Sequence, residues 1–332
     1  MQKVREFKIE NQIIGSGNRT FIIAEVAQAH DGSLGYAHAF IDLAADYGAD
    51  AIKFQTHFAD DESTLDEQFR INFSYKDKTR YGYWKRMEFS EAEWIGLYNH
   101  AKDKNIIFLS SAFSLKAIEL LEKLDIPAWK IASGEVKNYT FLEKICKTKK
   151  PILLSSGMSS FEDIDKSISF LESNNAEDIA IFQCTTEYPT SLKKVGINVI
   201  EELKEKYNRP VGLSDHSGDI TPSVLAMGMG VSLVEIHIAM NPYQFGPDTI
   251  ASIKPEDLKR LIEFRDKFQI IKSNPVDKDK SALELKKVAT LFGKSLTLNK
   301  DYKKGSIIEE NMLTLKKPGN GFQEKDINKL IG

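Results

Sequence analysis

The chain has 332 residues, 42% of them hydrophobic, with a formal net charge of -3 and a sequence pI near 6.1. That length suffices for a large core domain and a small one, and the near-neutral balance excludes a general attraction to nucleic acid or an anionic membrane. No apolar run approaches the roughly 20 residues that span a bilayer, and the opening MQKVREFKIE is too charged for a signal peptide, so a cytoplasmic protein is expected, with small molecules or its own copies as partners.

Residues 1–20 alternate weakly, FKIE then QIIG around Glu10-Asn11, which predicts a short hairpin cap ahead of the main fold. From residue 21 the pattern becomes a repeated unit of apolar run, polar end and amphipathic stretch. The runs lie at 21–27, 51–57, 106–113, 128–134, 151–157, 179–185, 210–216 and 233–240. Between them, stretches such as FEDIDKSISFLESN and VIEELKEKYN carry apolar residues at helical spacing. Strand and helix alternating eight times over about 250 residues is the rhythm of an α/β fold of the (β/α)8 TIM-barrel type. The barrel is expected over 21–272. A doubly wound open sheet is the alternative, but no Gly-rich dinucleotide fingerprint appears. Residues 60–89, rich in charge and aromatics, form a loop long enough to be a lid or binding loop. The stretch 273–286 reads as a polar linker with a short helix, and 287–332 as a small, mostly β unit near the lower limit for independent stability. The two cysteines, Cys146 and Cys184, fit a reducing compartment and structural roles.

A barrel places its chemistry at the carboxyl ends of the strands. His216 closes the seventh run and His237 lies near the end of the eighth, with Asp215 and Glu235 beside them. Each imidazole taken singly is explained by a bond to a backbone carbonyl. Two of them on neighbouring strand ends, with carboxylates adjacent, point to a divalent metal site. Lys53 and Lys130 lie inside apolar strands, AIKFQ and AWKIAS, where an unpaired ammonium is costly. Together with strand-end hydroxyls they describe an anion site, although a lone Ser or Thr there is more simply a helix cap.

The segments FIIAEVAQAHDGSL, GADAIKFQTH, IPAWKIASGE, ILLSSGM, QCTTEYPT, GLSDHS, EIHI and GPDTIASIKPEDL, in this order, resemble the sialic acid synthase family. The tail KKGSIIEENMLTLKKPGNG resembles that family's antifreeze-like (SAF) domain, here shortened. The resemblance implies condensation of phosphoenolpyruvate with an open-chain 2-acetamido sugar, giving a nine-carbon 2-keto acid and phosphate. It implies that His216 and His237 hold a divalent ion, manganese or magnesium. Lys53, Lys130, Ser111, Ser133, Ser155 and Ser214 match the phosphoenolpyruvate cradle, and Glu25, Gln55, Tyr188 and Asp248 match positions near the sugar. Glu135 matches a carboxylate that moves protons or holds the attacking water. Glu25, Glu135 and Lys53 are therefore the expected catalytic groups. A domain-swapped homodimer, with the antifreeze-like unit over the partner's barrel mouth, is also implied.

Four positions depart from the family's pattern: Ala29, Thr186, Ile236 and Lys317. Lys317 stands where an Arg contacts the sugar's acyl group in some members, and Lys has no planar bidentate fork. The segment 241–245 also lacks the usual basic residue. These departures bear on the sugar: N-acetylmannosamine, a 2,4-diacetamido sugar, or a less common aldose. A non-catalytic sugar- or phosphoenolpyruvate-binding relative is the alternative, and a condensing enzyme of the 3-deoxy-sugar acid type is disfavoured by the tail.

Overall fold

The computed structural model describes residues 5–332, and the first four residues of the expected hairpin segment lie outside the described residues. It divides into two compact units, one ending at Ile270 and one running Ile271–Gly332. In the first, β1 (Phe7–Ile9) and β2 (Gln12–Ile14) form an antiparallel pair around Glu10, whose φ is 50°. Eight parallel strands follow: β3 (Phe21–Ala27), β4 (Ala51–Thr56), β5 (Ile107–Ala112), β6 (Trp129–Ile131), β7 (Ile152–Ser155), β8 (Ile179–Cys184), β9 (Val211–Asp215) and β10 (Leu233–His237). These are the eight strands expected, the first over its full run and the other seven shortened.

Their spatial order is β5-β4-β3-β10-β9-β8-β7-β6. Each strand lies beside its sequence neighbours and β10 pairs with β3, so the sheet comes round on itself. Only the seam between β5 and β6 lacks ladder hydrogen bonds, although the two strands stand side by side. A nearly closed barrel, and not a doubly wound open sheet, is what forms.

Alternation along the strands sorts the side chains into two cores. Ile22, Ala24, Ile52, Phe54, Phe108, Trp129, Ile131, Ile181, Val234 and Ile236 face the surrounding helices. Phe21, Ile23, Ala51, Leu109, Leu153, Phe182 and Leu233 fill the barrel interior, joined there by Phe7, Ile9 and Ile14 of the hairpin. The interior is therefore apolar at the strand starts, and every inward position beyond these falls at the opposite, carboxyl end.

Helices are entered through side-chain caps, with Ser90 and Ser160 forming reciprocal boxes with Glu93 and Asp163. The last barrel helix, Pro255–Ser273, is tied to the strands by Arg265, whose guanidinium meets Asp50 at 2.8 Å with both side chains almost wholly buried. Asp50 also accepts from the Ile22 amide at 2.8 Å and pairs with Arg19. The expected loop at 60–89 is more ordered than its composition suggested. It contains a turn of helix at Ala59–Glu62 and a helix at Arg80–Met87 capped by Thr79. The helix was missed because RYGYWKRM offers no clean apolar stripe. It is held by Arg86, which forks onto Asp77 and reaches the Asp31 carbonyl at 3.0 Å.

The second unit pairs β11 (Ser295–Leu298) with β12 (Leu313–Lys316) antiparallel, and it also contains helices at Lys278–Glu284 and Lys286–Phe292. The first of these helices falls in the 273–286 stretch where a short helix was expected, and the second, Lys286–Phe292, opens the unit ahead of its strand pair. Among the described residues no helix is long and apolar enough to cross a membrane.

Removing Arg265 takes from Asp50 its buried partner and leaves the partly exposed Arg19 alone to face that buried charge. Arg265→Met is expected to lower unfolding free energy by about 3 kcal/mol, read by urea denaturation.

Candidate active site

The inward parity that fills the barrel's lower half with apolar groups delivers Glu25, Lys53, Gln55, Ser111, Lys130, Ser155, Cys184, Ser214, Glu235 and His237 to its mouth. They line one cavity of about 450 Å³, with Ser133, Glu135, Tyr188, His216 and Asp248 from the loops beyond the strands. Ladder register sets the first contacts, since Glu25 stands opposite both Lys53 and His237, and Gln55 opposite Ser111.

At the centre are two lysines and two carboxylates, all less than 5% exposed. Lys53 Nζ lies 2.8 Å from Glu25 and 3.8 Å from Glu235, and donates to Ser111 Oγ at 3.2 Å. Lys130 Nζ donates to Ser155 Oγ and lies 3.4 Å from Glu235, which also accepts from Ser214 Oγ at 3.1 Å. The cost of an unpaired ammonium in an apolar strand is thus met by Glu25 and Glu235, which stand beside the two strand lysines. Burial raises Glu25 to about 7 against the pull of Lys53. Glu235, although buried, is held below the usual carboxylate range by Lys130 and Lys53. Burial lowers Lys130, while Glu235 and Glu25 outweigh burial at Lys53 and raise it. Two carboxylates in one site are pushed apart, and Glu25 is the one poised to exchange a proton near neutrality.

The two histidines meet beside this centre, with ring centroids 5.1 Å apart and planes at 76°. His216 Nδ1 donates to the Thr185 carbonyl at 2.9 Å, so Nε2 is the nitrogen turned to the cavity, near Tyr188 Oη and Ser214 Oγ; Cys184 and the Thr185 carbonyl outweigh burial and raise this ring's proton affinity, so a cation bound there would take the place of a proton. Burial and the neighbouring His216 hold His237 far below the ordinary imidazole range, and its buried Nδ1 has no hydrogen-bond partner. A neutral ring and a ring with its tautomer fixed by a carbonyl suit a divalent ion. Among the described residues no group of three or more His, Cys, Asp or Glu is placed to hold a metal ion. Tyr188 stacks on His216 at 4.2 Å, and Arg70 from the long loop lies 4.5 Å over the Tyr188 ring.

The remaining expected residues divide. Ser133 Oγ accepts from the Gly157 amide at 3.1 Å. A Cβ on Gly157 would stand 2.3 Å from Thr186 Oγ1 and 2.8 Å from Ser133 Oγ, so only glycine leaves this cradle open. Glu135 accepts from Asn138 at 2.8 Å. Asp215 faces the surrounding helices, accepting from Ser217 N and Ser223 Oγ at 2.9 Å, and does not line the cavity. Ile236 and Ala29 belong to the helix-facing core, so these departures do not touch the cavity, whereas Thr186 lines it with its Oγ1 unpartnered. Lys317 is carried by the second unit, with its Nζ 4.9 Å over Phe292. Arg70, Gln28 and Cys184 also line the cavity and were not singled out from sequence as site residues. Strand parity predicts Cys184, but nothing local distinguishes Arg70 from the other loop cations.

The NeuB family model matches residues 40–275, and the chain belongs to the NeuB family. It is similar to the N,N'-diacetyllegionaminic acid synthase of Campylobacter jejuni, 34% identical over 95% of each chain. It is also 31% identical to the human N-acetylneuraminate-9-phosphate synthase, over 96% of this chain and 89% of that one. Among solved structures, the N-acetylneuraminic acid synthetase of Leptospira borgpetersenii in complex with citrate superposes with a TM-score of 0.76 and 28% identity, over 86% of this chain and 98% of that one. The chain is accordingly a sialic acid synthase-type enzyme that forms carbon–carbon bonds.

Two outcomes test this geometry. Because Glu25 ionises at about 7 in the fold against 4.5 ordinarily, its contribution to stability is present below pH 4.5 and is lost as pH rises through 7. Unfolding free energy relative to Glu25→Gln should therefore fall by about 2–3 kcal/mol between pH 4 and 8, measured by denaturant titration. Gly157→Ala should leave the fold intact and weaken phosphate-ester binding at least about tenfold by calorimetry, the loss of one good hydrogen-bonded contact.

Proposed function

We propose that the chain condenses phosphoenolpyruvate with an open-chain N-acetylated aminosugar, N-acetylmannosamine or a 2,4-diacetamido sugar, to give a nine-carbon 2-keto acid and phosphate. The observation that carries this reading is the convergence of Lys53, Lys130, Glu25, Glu235 and the two histidines on one cavity, in a chain of this family. Lys130, Ser155 and Ser133, with the Gly157 cradle, hold the phosphate, while Lys53 and Ser111 take the carboxylate. The methylene carbon of phosphoenolpyruvate attacks the sugar aldehyde and forms the new bond. Positive charge then develops on the adjacent carbon, water adds there, and the carbon–oxygen bond to phosphate breaks. Glu235, kept ionised, favours the cationic centre. Glu25 passes a proton to the developing alkoxide, and Glu135, at the mouth, takes one from the water. A manganese or magnesium ion on His216 and His237 would supply electrophilic polarisation of the aldehyde. Gln55, Tyr188 and Asp248 orient the sugar.

We further infer that Ile271–Gly332 is an antifreeze-like unit and that the enzyme is a domain-swapped homodimer. Exposed Leu283, Leu291, Phe292 and Phe322 give that unit apolar surface to cover.

With manganese present, phosphate release from phosphoenolpyruvate should appear with one of these sugars and not without sugar. His216→Ala and His237→Ala should each reduce it at least about a hundredfold, the scale of a lost electrophilic contact, with circular dichroism unchanged. Undiminished turnover in either variant would overturn the metal assignment.

A further inference from the structure

Gln55 lines the cavity beside Glu25, and part of what fixes its amide lies outside the catalytic centre. Its Nε2 donates to Glu25 Oε1 at 2.8 Å, and its Oε1 accepts from Gln28 Nε2 at 3.3 Å. With Glu25 ionised, turning the amide round would set oxygen against carboxylate and NH2 against the Gln28 NH2, so in that state one orientation is favoured. The remaining contact to Oε1 comes from His57 Nε2 at 3.2 Å, and the other ring nitrogen, Nδ1, meets Glu62 Oε1 at 2.6 Å. Both partners of this imidazole are acceptors.

A ring that donates from both nitrogens carries a positive charge. The surroundings suit that charge. His57 is only 4% exposed and lies flat between Trp84 and Phe113, with centroids at 4.1 and 4.3 Å and interplanar angles of 17° and 14°. Glu62 is the carboxylate in contact, Glu25 stands behind Gln55, and His30 and Asp248 feel the ring at longer range. On its far side Trp84 carries Arg80, itself paired with Glu67 at 3.2 Å. Glu62 and Trp84 belong to the 59–87 segment, Phe113 follows β5, and Gln55 is on β4. His57 touches all four of these side chains.

We propose that His57 is a positioning residue: holding a proton on each ring nitrogen, it ties Glu62 and Trp84 of the long loop to Gln55, and thereby fixes the face that Gln55 and Glu25 present to the acceptor. The proposal rests on the reading of the cavity given above for its kinetic arm, but not for its structural one. The loop is then part of the acceptor site, and its seating is communicated to the centre through one imidazole.

The structural arm uses the full chain labelled with 15N-histidine, the His57 signals being assigned by their loss in His57→Gln. At pH 7 both nitrogens should show protonated shifts, and in Glu62→Gln one should move to the unprotonated range. A neutral ring in the unsubstituted protein would overturn the proposal, whether or not the enzyme condenses sugars. The kinetic arm uses His57→Phe, which keeps a flat ring between Trp84 and Phe113 but has no N–H. Its kcat/KM for the acceptor should fall about tenfold, as for one lost hydrogen bond, while KM for phosphoenolpyruvate shifts less than about twofold. His57→Gln, which restores a donor toward Gln55, should recover part of the loss. Equal losses for both substrates, or no rescue, would reduce His57 to a packing group and overturn the proposal. Absence of phosphate release from the unsubstituted enzyme with every sugar would count against the proposed reaction and leave the NMR outcome to decide for His57.

Discussion

A buried charge must be paired, and in this protein that requirement governs the site. Lys53, Lys130, Glu25 and Glu235 lie on four strands, and each is tolerable only because an opposite charge is in reach. The pairing depends in turn on register. Glu25 faces Lys53 across the β3–β4 ladder, and a slip of one residue in either strand would turn a charge into the helix-facing core. The apolar layer beneath, with the amino-terminal hairpin packed into it, defines that register. Stability at one end of the barrel and chemistry at the other are two consequences of a single alternation.

The electrostatics of the centre explain why a proton is held there. Two lysines already neutralised by two carboxylates offer little net charge to an incoming anion. Protonation of Glu25 near pH 7 frees Lys53 from its closest partner, so on the proposed reading anion uptake and proton uptake are coupled. Glu235 does not share this behaviour because it answers to both lysines. The arrangement separates a proton carrier from a fixed negative charge with two residues of nearly the same chemistry.

The departures from the family pattern look different once placed. Ile236 and Ala29 lie among the outer helices, where apolar residues are what packing needs. Thr186 remains in the cavity, with a free hydroxyl beside the Gly157 cradle. The acceptor side is shaped more by the 59–87 segment, whose Phe69, Phe73, Tyr83 and Trp84 form an aromatic wall with Arg70 at its edge. Variation in substrate is expected to reside in that segment, since loops change without disturbing the barrel register.

Much of this was legible in the amino-acid order. Eight apolar runs with polar ends predicted the barrel, and Lys53 and Lys130 inside such runs marked the site, because a cation in an apolar strand requires a partner. His216 and His237 were found by the same rule of strand ends. Three things were not legible. Asp215 sits next to His216 in sequence yet faces the opposite way, because neighbours on a strand alternate. The helix at Arg80–Met87 had no periodic signal, since it is held by Arg86 ion pairs and ring contacts more than by an apolar face. The clamp on His57 gathers residues from three separate segments. The sequence by itself determined which residues are buried and which strand each occupies, since hydrophobic period is a local property. Only the tertiary structure decided which charge answers which, because pairing depends on register and on loops whose contacts are long-range.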